Sequence, residues 1–303
     1  RVLRAVDPDT FADDSLRVLR AVQFAARFDV ALDAPTFALC WALPLDDLPA
    51  ERIWGEVEKL LLQSPRPSVG LALALDLTIV ERLWPEFAAL VGCAQEPEWH
   101  PEGDVWTHTL QVVDEMRLRI DDLPRPKRVA LMLGAIAHDF GKPATTAFAD
   151  GRLRSLGHEE AGVEPARRFL DALNVHTMEG YDVRAQVLGL VAHHLKPGAW
   201  RKSVTGVGDG AFRRLAQKVD LELLARTIRA IKKAGIRVKG LLMMGLPGET
   251  EATIKNSMDY VFSLPIDDFN LAKFTPFPGS PLYEHIHELG DFKEDIADMD
   301  CMH

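Results

Sequence analysis

The residues whose types could do chemistry together are His108, His138 with Asp139 directly after it, His158, and the adjacent pair His193 and His194. Each falls on a stretch that reads as a helix or a helix end. The run VALMLGAIAHD, residues 129–139, is apolar almost all round, which is the pattern of a helix buried on every side, and it closes on two polar residues. A carboxylate carried into such an interior is costly unless a cation or several donors meet it. A divalent metal would be that cation. Imidazole and carboxylate suit Mg, Mn, Ni, Zn or Fe without separating them, so the metal itself is not readable. The alternative is a set of buried His and Asp side chains that do no more than satisfy helix ends. Cys40, Cys93 and Cys301 lie too far apart to form a local grip on zinc or an iron–sulfur cluster. No cluster is expected, and any metal must use His and carboxylate.

Several helices must hold these side chains. Val105, Thr109, Val112 and Met116 mark a buried stripe that His108 borders. Gly141 and Pro143 stop the apolar helix, a turn follows near Asp150 and Gly151, and further helices are predicted over about 159–173 and 180–193. Upstream, residues 10–27 read as an amphipathic helix with a basic stripe of Arg17, Arg20 and Arg27, followed by helices at about 36–43, 49–62 and 68–77. After Asp220 the pattern changes. IRVKGLLMMG reads as a strand, 251–263 as a helix and 269–274 as a second strand, an alternation that argues for parallel pairing. Two such units cannot close a barrel.

The chain of 303 residues is 47% apolar, enough for substantial cores, which excludes a disordered or collagen-like polymer. It contains no long uncharged apolar window, so a soluble, cytoplasmic protein with no membrane contact is expected. The net charge of −10 opposes broad capture of phosphate backbones, and nucleic-acid contact must be local. The first residue is Arg and the text is already helical, so the chain is expected to begin inside a longer protein.

WTHTLQVVDE, LGAIAHDFGKPATT, GHEEAG and LVAHH resemble the HD superfamily of metal-dependent phosphohydrolases, and specifically the HD domain of bacterial tRNA nucleotidyltransferases, the CCA-adding enzymes. The resemblance covers about residues 95–222. It implies His108, His138 and Asp139 as ligands of a divalent ion of the Mg, Mn or Ni class, which would acidify a water for attack on a phosphoester. Lys142 would sit near the phosphate or else be a solvated helix-end lysine, and His158 would be a general acid, a neighbour of the ligands or a cap partner. One of His193 and His194 would face the site. The family's last aspartate falls near Ile231 by continuity, where no carboxylate stands. Asp209 reads as a helix cap and Asp220 as a weak substitute, so a site short of one charged ligand is expected to hold its ion less tightly.

ADDSLRVLRAVQFAARF resembles the neck of the same enzymes, whose acidic-Asp-x-x-Arg motif templates the incoming base. The matching residues are Asp13, Asp14 and Arg17, with Asp14 and Arg17 on one helix face presenting acceptor and donor edges to a nucleobase. Arg20 would support that site or bind phosphate. RIWGEVEKLL resembles a later motif and reads as an Arg52–Glu56 pairing. The transferase head would lie before Arg1, so this chain alone is not expected to polymerise nucleotides, and ATP, CTP and tRNA enter as partners of the parent enzyme.

Residues from about 227, with MGLPGET and FTPFPGSPLYE, resemble the carboxyl-terminal third of cobalamin-associated radical SAM enzymes, without the cysteine loop of that family. The expected fold is therefore mainly α-helical, with neck/body helices and an HD-type helical domain, followed by a small α/β segment resembling an incomplete radical SAM barrel. Its parts are 1–92, neck and body for tRNA and nucleotide recognition; 93–224, the HD domain; and 225–303, the radical SAM fragment, joined near 225. Two functions stay open: a tRNA nucleotidyltransferase fragment with an HD phosphohydrolase site, and a non-catalytic tRNA- or nucleotide-binding fragment whose HD site is incomplete. A radical SAM enzyme fails for want of cysteines.

Overall fold

A computed structural model of the chain describes residues 1–149, 151–195, 215, 217–233, 239–244, 250–263 and 268–273. Two compact units divide it, one of residues 1–196 and 212–237, the other of 197–211 and 238–303.

The first unit is helical. Helix α1 (Leu16–Phe28) buries Leu16, Val18, Leu19, Ala21, Val22, Ala25 and Ala26, packing on α3 (Ala50–Gln63) and α4 (Pro67–Asp76). Gly70 permits that approach, since a Cβ there would lie 2.4 Å from Leu60 and 3.0 Å from Ala26. The single helix expected over 10–27 is divided: a short helix, Pro8–Phe11, precedes α1, and the helical run breaks between them where the Asp14 carboxylate accepts the Leu16 N–H at 3.2 Å, a local bond that favours a turn over a helix interior. Helix α2 (Ala34–Ala42) opens on Asp33, which caps the Thr36 N–H, with Pro35 in the first turn.

Helix α5 (Val105–Arg117) is capped by Asp104, which accepts from the Thr107 N–H at 2.9 Å. Against it lies α6 (Arg125–Ala137), and every residue from 129 to 142 is buried, as the all-round apolar pattern requires. The single helix expected over 159–173 is two, α7 (His158–Ala161) and α8 (Val163–Ala172), divided at Gly162. Helix α9 (Val183–His193) packs on α6, and α10 (Leu221–Lys233) packs on both α5 and α6 with Leu223, Thr227 and Ala230 fully buried. Thus α10 runs unbroken through the expected boundary at 225 and belongs to the helical unit. The expected turn near residue 150 is flanked by an antiparallel hairpin, β1 (Thr146–Ala149) and β2 (Arg152–Ser155), with Thr146 opposite Ser155. The hairpin is short and largely exposed, so no alternating apolar pattern announced it.

Body and HD-side helices are tied together. Asp114 of α5 accepts from the Ser68 N–H at 2.9 Å and Oγ at 2.6 Å, Arg125 grips Glu58, and the rings of Phe87 and Trp106 lie 4.5 Å apart. In the second unit, β3 (Lys239–Met244), α11 (Glu251–Ser263) and β4 (Asp268–Lys273) follow the expected strand–helix–strand order, with β3 and β4 paired in parallel from Lys239 opposite Asp268 to Met244 opposite Lys273. Asp209 and Cys301 lie outside the described residues. No described helix is long and apolar enough to cross a membrane.

Candidate metal centre

Four imidazoles and one carboxylate meet where α5, α6, α7 and α9 converge. His108 is inside α5, His138 follows the end of α6, His158 opens α7 and His194 follows the end of α9. All four are buried, as is Asp139. Gly141 makes the convergence possible. A Cβ at that position would lie 2.0 Å from the His158 carbonyl oxygen and 2.6 Å from the Gly162 nitrogen, so only glycine lets the Asp139 turn rest against α7.

In each imidazole Nδ1 is tied to an acceptor oxygen, and Nδ1 must therefore carry the proton. His138 donates to the Ala135 carbonyl at 2.8 Å, His158 to Ser155 at 2.6 Å and His194 to Val191 at 2.8 Å. His108 donates to the Glu102 carboxylate at 2.8 Å. The Nε2 atoms of His108 and His138 are buried with no hydrogen-bond partner. His138 Nε2 stands 3.2 Å from Asp139 Oδ2, and His158 Nε2 is 3.3 Å from Asp139 Oδ1 and 3.2 Å from His194 Nε2.

One ligand atom from each of His108, His138 and Asp139 falls within 4.8 Å of the others, and so does one from each of Asp139, His158 and His194. Two buried ring nitrogens without hydrogen-bond partners, beside a carboxylate, form the donor set that an imidazole- and oxygen-loving divalent cation takes. The residues fit such an ion. A third group of the same kind, His100, Glu102 and His108, adjoins them.

Burial raises the Asp139 carboxyl, yet His138 and Lys142 outweigh it and hold the pKa well below the ordinary carboxylate range. Burial pushes His108 down to about 4 and His194 down to about 3, so both stay neutral. Burial also lowers His158, but its bond to Asp139 prevails and the pKa rises. Burial raises Glu102, and the bonds from His108 and His100 overcome that and hold it at about 2.

Lys142 is no solvated helix-end lysine. It is buried, with Nζ 2.8 Å from Asp139 Oδ2 and 2.6 Å from the Gln95 Oε1 acceptor. Of the adjacent histidines, His194 joins the cluster, while the His193 ring nitrogen bonds the Ala192 carbonyl. Asp220 does not replace the missing ligand. It caps α10 through the Glu222 N–H and is held by Lys127 at 2.8 Å.

The expected base-template face takes a different form. Asp14 stands in the turn ahead of α1 rather than on a helix face with Arg17, and Arg52 grips its two oxygens at 3.0 Å each. Burial raises the Asp14 carboxyl, and Arg52 and the Leu16 N–H bring it below its ordinary value. Arg52 therefore does not pair with Glu56, which is instead held by Lys59 at 2.9 Å, with Arg20 at 3.8 Å. Asp13 is exposed and Arg17 half-buried. Sequence reasoning missed Gln95, His100 and Glu102. Their signal was two chemically able side chains, His100 and Glu102, in the short loop just ahead of the His108 helix.

Fold and site together define a class: residues 105–233 match the HD domain family, and residues 42–90 match the family described as the probable RNA and SrmB-binding site of polymerase A. The particular relatives are multifunctional CCA proteins. That of Pasteurella multocida is 33% identical over 225 residues, 67% of this chain and 52% of its own. That of Halorhodospira halophila is 39% identical over 180 residues, 57% and 41% respectively, and that of Ralstonia nicotianae 32% over 252, 75% and 57%. The chain thus spans about half the length of the curated relatives it matches. A solved complex of a CCA-adding enzyme with CTP aligns with 99% of this chain and 62% of that one at a TM-score of 0.44 and 14% identity, too low to bear on the fold.

Proposed function

We propose that this chain is the RNA-binding body and HD domain of a CCA-adding tRNA nucleotidyltransferase, and that its HD cluster is a metal-dependent phosphohydrolase site. The observation that carries the reading is the pair of buried, partnerless Nε2 atoms of His108 and His138 beside Asp139. His108, His138 and Asp139 would hold the divalent ion. When bound, the ion supplies Lewis-acid polarisation of a phosphoester and a water of lowered pKa.

The chain's own residues do the rest. Asp139 is the resident anion, and Lys142 pairs with it. Lys142 Nζ, tethered by Gln95, is a donor for a phosphate oxygen. His158, with Nδ1–H on Ser155 and a pKa raised by its bond to Asp139, is the group suited to protonate a leaving oxygen. In the parent, tRNA is the macromolecular partner, ATP and CTP the nucleotides, and residues 42–90 the body that meets RNA. Asp14, Arg17 and Arg20 are the base- and phosphate-facing side chains, with Arg52 fixing Asp14. The radical SAM ancestry of residues beyond α10 rests on the sequence resemblance and is supported by the parallel β3–α11–β4 unit.

A second reading has its own observation. Glu222 is the only carboxylate on α10, and it is paired with Arg226 at 2.9 Å, so the helix that packs on α5 and α6 offers no free acid to complete the site. That favours an RNA-binding module with an idle HD pocket. Metal content and turnover of bis(p-nitrophenyl) phosphate with Mn, Ni and Mg, measured for the chain and for His138→Ala, separate the two. Metal-dependent turnover lost in His138→Ala supports the hydrolase. RNA binding without turnover in either protein supports the module.

A further inference from the structure

We propose that Glu102 is a positioning residue for the metal centre: its carboxylate locks His108 as the Nδ1–H tautomer so that Nε2 is presented to the ion. The inference rests on the metal reading above and adds to it the device that prepares one ligand.

The four imidazoles of the cluster solve the same problem in two ways. His138, His158 and His194 sit at helix termini, and each turns Nδ1–H onto the backbone carbonyl of the residue three positions earlier, Ala135, Ser155 and Val191. Such carbonyls are free at helix ends or in the loops beside them. His108 is placed inside α5, where the carbonyls behind it are spent on the helix ladder. An acceptor has to come from elsewhere, and the loop before α5 supplies Glu102 Oε1 at 2.8 Å from His108 Nδ1. The same oxygen takes His100 Nδ1 at 2.9 Å, which pins the carboxylate from its other side.

The arrangement is costly unless it serves a cation. Glu102 has only 5% of its side chain exposed and Oε2 has no partner, while His108 is wholly buried and Nε2 has none either. Two carboxylates almost withdrawn from solvent, Asp139 and Glu102 with 3% and 5% of their side chains exposed, face these imidazoles. A divalent ion would offset that concentration of negative charge. A carboxylate on the far nitrogen also makes the ligating nitrogen more basic, and loss of such a partner typically costs 10–100-fold in metal affinity.

The test uses the full chain, its Glu102→Ala and Glu102→Gln variants, and two readouts. The first is the long-range 1H–15N NMR pattern of His108 in the metal-free protein. The second is the affinity for Mn2+ by titration calorimetry. We expect a single Nδ1–H tautomer in the parent chain and a mixed pattern in Glu102→Ala. Mn2+ affinity should fall about 10–100-fold in Glu102→Ala. Glu102→Gln, whose carbonyl oxygen accepts the same bond without the charge, should recover the tautomer and part of the affinity. If Glu102→Ala does not fold, Glu102→Gln decides: an upfield move of the His108 Nδ1 proton with weakened Mn2+ binding supports the proposal. An unchanged tautomer in Glu102→Ala, or equal Mn2+ affinity in all folded variants, overturns it. A parent chain that binds no Mn2+ refutes the hydrolase reading instead, and the tautomer measurement still decides whether Glu102 sets His108.

Discussion

Replacing Gly141 by Ala is the sharpest structural perturbation of the site that leaves every ligand in place. The new Cβ would stand 2.0 Å from the His158 carbonyl oxygen, against an ordinary contact of 3.4 Å, so α7 must retreat by about 1.4 Å. The opposing atoms are backbone, which cannot rotate away. Overpacking of this kind costs about 1–3 kcal/mol or more. The same retreat stretches the 3.3 Å His158–Asp139 contact beyond hydrogen-bonding range, a charge-assisted loss of about 1.5–3 kcal/mol. Together these give about 4 kcal/mol, or roughly 8–16 °C in Tm for a unit of this size. Gly55, in the interior of α3 with nothing within 4 Å of its would-be Cβ, is the control. There Ala should stabilise by about 0.5–1 kcal/mol through helix propensity alone. Circular dichroism melts of both variants in EDTA make the comparison. If Gly141→Ala melts within about 2 °C of the parent, the close seating of the Asp139 turn on α7 is refuted.

Other outcomes follow from the buried charges. In EDTA, stability should fall as pH drops from about 6.5 towards 4, because His108 and His194, depressed to about 4 and about 3, take up protons more readily unfolded than folded. Their contribution is complete above the unfolded value and is lost below it. His158, raised, has the opposite sign, so two groups act against one. Denaturant midpoints between pH 4 and 7.5 that show no such loss would contradict the burial of the cluster. Lys142→Met strands Asp139 without its cation, and removing one partner of a buried pair costs about 3–5 kcal/mol. That variant should melt markedly lower in EDTA and recover part of the loss in millimolar Mn2+, whereas equal melts with and without the metal would count against an ion at Asp139. Arg52→Ala should cost no more than about 1 kcal/mol in stability, as expected of a partly exposed pair. If Asp14 recognises nucleotides, the same change should weaken nucleotide binding measured by fluorescence anisotropy.

What the sequence disclosed, it disclosed through burial. The all-apolar run 129–137 announced that His138 and Asp139 would be carried into an interior, and the stripe of α5 brought His108 to its edge. Lys142 stood open between phosphate partner and solvated residue, because its burial depends on Gln95, 47 positions away. The Asp14–Arg52 contact was hidden for a similar reason: it comes from a guanidinium 38 residues on, whereas the spacing showed only the neighbour three residues on. Glu102 was passed over since a hydrogen bond from a Pro- and Gly-containing loop has no period to reveal it. The hairpin 146–155 lacked the apolar alternation by which strands are recognised, and Gly162 split a helix whose pattern read as continuous. In the tail, by contrast, the alternation of strand, loop and helix was strong enough to give the parallel pair correctly.

The central claim is that His108, His138 and Asp139 hold a divalent ion. Anomalous diffraction from crystals of the full chain soaked in MnCl2 tests it most directly. The account predicts a single strong anomalous peak bounded by Nε2 of His108, Nε2 of His138 and a carboxylate oxygen of Asp139, absent in His138→Ala. A map with no anomalous density among those three atoms, at a metal concentration that fills surface sites, would contradict it.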